Sequence, residues 1–124
     1  MVREASGPNE IVMISAEALW RHVSPPVALA ENEMAAAGSE DAYWAARRAF
    51  VAEVAAAAGR DAEIVAVLRR QDVCAESMFK ERVKGTAYAE PFETYIEAFS
   101  HRFRYFDQLS VWAEFFSTVT AAVY

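Results

Sequence analysis

The stretch EPFETYIEAFSHRFRYFDQ, residues 90–108, decides how this chain is read. Its polar residues Glu90, Glu93, Glu97, His101, Arg104 and Gln108 recur three or four positions apart. On a helix that spacing gathers them into one narrow sector. Phe92, Tyr95, Ile96, Phe99, Phe103 and Phe106 lie opposite, so the spacing predicts an α-helix with a strongly aromatic buried face. After Asp107 the phase changes. Val111, Trp112, Phe115 and Val119 take the formerly polar sector, and Ser110, Ala113 and Ser117 take the apolar one. Two readings follow. In one, Asp107 caps a new helix that re-aims the chain, Asp being a favoured N-cap. In the other, a single helix continues and its Trp112 face packs on something outside the domain.

Toward the N-terminus, stop and start signals mark further helices. Gly85 ends a helix read from Asp61 to about Lys84, in which Ile64, Val65, Leu68, Ala75, Met78 and Phe79 recur near helical spacing. Ser39, followed by Glu40 and Asp41, opens another that runs to Ala58 and closes at Gly59. Ser24-Pro25-Pro26 starts a third, stopped after Ala37 by Gly38. Ser15 caps a short one over residues 16–23. Residues 10–14, EIVMI, read either as a strand or as an extended lead-in, within an N-terminal arm of residues 1–14. The 124 residues leave room for one core. The expected fold is therefore a single all-α domain over residues 1–124: a compact bundle of five to six helices, with one short N-terminal extended segment left open.

Composition narrows the partners. The hydrophobic fraction is 55%, enough to fold, while leucine is confined to Leu19, Leu29, Leu68 and Leu109. Aromatic side chains must then fill the space between alanine-rich helices. The formal charge is −6, and acids interrupt or flank both Arg69-Arg70 and the Lys80–Lys84 stretch. A phosphate backbone needs a basic surface, so no nucleic-acid partner is expected. No apolar run approaches the ~18 residues that cross a bilayer, and the first residues lack a signal-peptide pattern. No membrane association is expected, and a cytoplasmic location is. Cys74 is the one cysteine and reads as a small buried hydrophobe.

Few constellations carry chemistry. Glu93, Glu97 and His101 form an i, i+4, i+8 ladder of ligand types suited to Fe, Mn or Zn, but they are weak metal candidates. The Glu-x-x-His step of helical di-metal proteins occurs nowhere, so no metal or cofactor is expected. No Ser or Cys stands in a nucleophile elbow, and the four glycines are isolated rather than gathered in a phosphate loop. No catalytic residue is predicted. Tyr95, Phe99, Phe103 and Phe106 are candidates to line a pocket for an apolar ligand. The leading expectation is a non-catalytic helical interaction or assembly module, either self-associating, with a homodimer the simplest form, or acting as an acidic accessory or inhibitor subunit. Its surface would be Val111, Trp112, Phe115, Phe116 and Val119, because aromatic residues commonly anchor such contacts. The alternatives are a helical bundle that binds a small apolar ligand and a carboxylate/His metal-dependent enzyme.

Overall fold

The computed structural model describes residues 12–24, 32–59 and 61–123. In chain order these hold a 3-10 turn (Glu17–Trp20), α1 (Glu33–Ala37), α2 (Glu40–Ala58), β1 (Ile64–Leu68), α3 (Gln71–Gly85), α4 (Phe92–Ala98), α5 (Ser100–Phe103), α6 (Tyr105–Phe115) and β2 (Val119–Val123). The fold is mostly helical, and β1 and β2 form a parallel pair in register from Ile64↔Val119 to Leu68↔Val123. The fold is thus broadly all-α, as expected, but a small parallel sheet joins the helices, which do not form a clear five- or six-helix bundle.

The longest helix follows its sequence signals. The Ser39 hydroxyl accepts from the Ala42 N–H at 3.1 Å, and Glu40 and Asp41 sit in the first turn of α2. Such a cap satisfies one of the backbone donors that a helix start leaves open. Gly38 and Gly59 both take φ 88°, a conformation that a side chain would strain, and they end α1 and α2. At the start of α1, Asn32 accepts from the N–H groups of Met34 and Ala35. Its Nδ2 also donates to the Ala98 carbonyl at 2.7 Å, which pins α1 to the end of α4.

Other boundaries differ from the sequence reading. The helix expected over residues 61–84 divides into β1 and α3. Ile64-Val65-Ala66-Val67-Leu68 is a short apolar run rich in β-branched residues, which periodicity alone does not separate from a buried helix. The pairing with β2 decides it in favour of a strand. The helix expected over 16–23 shrinks to the 3-10 turn. Of the helix expected from Ser24 to Ala37, residues 25–31 lie outside the described residues, and α1 supplies the rest. Residues 10 and 11 of the open N-terminal segment also lie outside them; Val12, Met13 and Ile14 are exposed and belong to neither helix nor strand.

In the C-terminal third neither of the two readings has the right boundary. The chain breaks at Phe99 and again at Arg104, giving three short helices where one or two were expected. Asp107 caps nothing; it lies in the first turn of α6 and accepts from Arg104 Nε at 2.6 Å. Each break rotates the apolar face, and two clusters result. Ala75, Tyr95, Phe99 and Phe103 centre one, against Phe79, Phe92 and Ile96. Val51, Val111, Trp112 and Phe116 centre the other, against Phe50, Ile64 and Val119.

Candidate functional site

Among the buried residues a layer of polar side chains joins α1, α2, α5 and α6. Gln108 is its hub and is wholly buried. Its Oε1 accepts from Arg47 Nε at 2.8 Å, and its Nε2 donates to the Tyr43 hydroxyl at 2.8 Å and to the His101 carbonyl at 3.1 Å. Arg47 also donates from Nη1 to the His22 carbonyl at 2.6 Å, which ties in the N-terminal segment. At the other end Arg102 donates to both carboxylate oxygens of Glu33, at 2.7 and 2.9 Å, and His101 Nε2 lies 3.1 Å from Glu33 Oε2.

The charges in this layer are unevenly balanced. Burial alone would raise the Glu33 pKa, but the His101 hydrogen bond and the Arg102 charge outweigh it and hold the carboxyl at about 2. Glu33 is therefore ionised, and His101 Nε2 carries the proton it donates. Among the described residues no carboxylate hydrogen-bonds Arg47; burial lowers its pKa to about 10, so it stays a cation at neutral pH. Its guanidinium lies 5.6 Å from the Phe50 ring centre and 5.5 Å from that of Trp112, so π faces and carbonyl dipoles stand in for a counter-ion. Burying charge costs several kcal/mol unless such partners are in place. Geometrically this is a clasp between helices. Nothing in its sequence pattern announced it, because Glu33, Arg47 and Gln108 meet only in space.

The predicted site residues scatter. Trp112 is 4% exposed, and Val111 and Phe116 are also buried in the chain's own core, so they offer no surface to a partner. Phe115 is half-exposed, and Val119 lies in β2 against that core. The break at Arg104 explains the correction: α6 starts afresh and turns its Trp112 face inward. Of the predicted pocket, Tyr95, Phe99 and Phe103 come together as packed core. Phe106 does not join them and is 82% exposed. The metal ladder comes apart because α4 ends at Ala98, which leaves Glu93 and Glu97 exposed while His101 turns inward to Glu33. Among the described residues no group of three or more potential metal ligands comes together.

Two other surfaces stand out. An open apolar groove of about 650 Å³ runs between α3 and α4, with Val73, Phe79, Phe92 and Ile96 in its lining and Asp72, Glu76 and Lys80 at its rim. The second is the sheet. Along β1 the side chains alternate between half-buried and exposed, and Val65 and Val67 are 65% and 64% exposed. Parallel strands usually carry apolar residues on both faces because both are covered. Here one face lies open. No described helix is long and apolar enough to cross a membrane. No family model, curated protein or solved structure matches this chain, so these surfaces are read from their own chemistry.

Proposed function

We propose that this chain is a non-catalytic assembly module that acts by packing on another chain, and that its contact surface is the β1–β2 sheet. One observation carries this reading: Val65 and Val67 stand exposed on a strand without a polar side chain. A lone two-stranded sheet is marginal in water, and an uncovered apolar strand is a template for association. Val123, at the far end of the same sheet, is also exposed. The interaction surface thus moves from the buried Trp112 to the valines of β1. Sedimentation of the wild type beside the Val65→Lys/Val67→Lys variant tests it. The wild type is expected to assemble, with itself or with a captured partner, and the variant to stay monomeric with unchanged helical circular dichroism. A monomeric wild type that captures nothing would overturn the reading.

The groove between α3 and α4 favours a second reading, binding of a small apolar ligand, since its lining is mostly apolar. A thermal shift with apolar compounds that Ile96→Glu abolishes would support it. No shift across a broad panel would remove it.

A further inference from the structure

We propose that the chain docking on the sheet is a second copy of this one, and that the two β1 strands pair antiparallel about a two-fold axis at Ala66. The inference rests on the assembly reading above and names its occupant.

The backbone supplies the first argument. The Ile64 N–H donates to the Thr118 carbonyl at 3.0 Å, so Ile64 turns its backbone groups toward β2. Backbone direction alternates along a strand. Ala66 and Leu68 therefore also face β2, while the N–H and C=O groups of Val65 and Val67 point along the opposite edge. Among the described residues nothing bonds them there. A two-fold axis at Ala66 sets Val65 of one copy opposite Val67 of the other. Both residues point outward, so the four groups on each strand meet in register. The result is a four-stranded sheet in the order β2-β1-β1-β2, with four valines side by side on one face.

Charge supplies the second argument and fixes the register. Glu63 and Arg69 flank β1 and are exposed. Strand alternation carried one residue past each end puts them on the side of Val65 and Val67, with the Arg69 charge also acting on Tyr105. Pairing about Ala66 sets Glu63 of each copy opposite Arg69 of the other, so the like valines meet in the middle and unlike charges at both ends. Moving the axis to Val65 sets Glu63 against Val67, and moving it to Val67 sets Arg69 against Val65. Both alternatives press a charge on an apolar side chain. The β2 edge offers no such code, since Val119–Val123 carries no ionisable side chain. Joining β1 of one copy to β2 of the next would leave an open edge at every step and build a filament rather than a closed pair.

The test uses sedimentation velocity over a range of concentrations for the full chain and for Glu63→Arg, Arg69→Glu and the double reversal. Both substituted positions are exposed, and circular dichroism checks that the fold is kept. The wild type is expected to dimerise, each single reversal to weaken the dimer by roughly tenfold, and the double reversal to restore it. In a Cys74→Ala background, Ala66→Cys is expected to form an intermolecular disulfide under mild oxidation. Opposed residues that share no hydrogen bonds sit about 4.5 Å apart at Cα, within disulfide reach. A dimer that ignores the reversals and does not cross-link at position 66 overturns this pairing while leaving the assembly reading intact. A protein that stays monomeric at every concentration and captures no partner overturns both.

Discussion

Arg102 holds both carboxylate oxygens of Glu33: Nη2 lies 2.7 Å from Oε1 and 2.9 Å from Oε2, and Nε adds a contact to Oε2 at 3.2 Å. Both side chains are buried, so the pair locks the five-residue α1 to the four-residue α5. Neither helix is long enough to be stable alone. Truncating one partner strands the other charge away from water. Glu33→Ala is expected to cost about 3–5 kcal/mol in urea denaturation. A loss below about 1 kcal/mol would show that the clasp is dispensable.

The same carboxyl sets a pH dependence. In the folded chain its pKa is about 2, against 4.5 ordinarily, because the His101 hydrogen bond and the Arg102 charge outweigh the opposing effect of burial. A carboxyl depressed by folding stabilises fully above its unfolded value, and that contribution is lost as pH falls from there toward the folded value. The stability gap between wild type and Glu33→Gln should therefore hold steady from pH 7 to about 5.5 and then narrow toward pH 3, the difference amounting to at most about 3 kcal/mol. A gap that is the same at pH 3 and pH 7 contradicts this account.

Gln108 sits where the polar layer passes between the two apolar clusters, bonded to Arg47, Tyr43 and His101. Gln108→Ala leaves three buried polar groups without their partner at once. Unsatisfied buried groups cost about 1–3 kcal/mol each, so a loss of about 3–5 kcal/mol is expected, short of the simple sum because neighbours relax. Chemical denaturation followed by tryptophan fluorescence measures it. A near-neutral result would mean that the hub is not a hub.

Phe106 and Trp112 share a helix but not a fate. Phe106→Ser, at an exposed position, should change stability by no more than about 0.5 kcal/mol. Trp112→Ala empties the centre of a core cluster and should cost about 3–5 kcal/mol. Thermal melts of the two variants side by side give the comparison, and similar losses would refute the orientation of α6 described above.

Helix capping was legible because it is local. Ser39, Gly38 and Gly59 mark the ends of α1 and α2 where their chemistry puts them, since a cap involves residues only a few positions apart. The core character of Tyr95, Phe99 and Phe103 was legible for the same reason: three positions on neighbouring turns share a face. The breaks at Phe99 and Arg104 carry neither Gly nor Pro, and no local signal marks them. They accompany contacts with distant residues, Glu33 with His101 and Arg102, and Glu40 with Arg104.

The sheet shows the limit most plainly. An apolar run from Ile64 to Leu68 suits a buried helix as well as a strand, and its burial alternation is invisible when every residue is apolar. Val119–Val123 supplies the hydrogen bonds that choose between them, and it lies at the other end of the chain. By itself the sequence determined a mostly helical acidic fold, the extent of α2 and the aromatic weight of the core. Only the tertiary structure decided that Trp112 faces inward and Val65 outward, because a side chain's exposure depends on which distant segment covers it, and that covering is long-range.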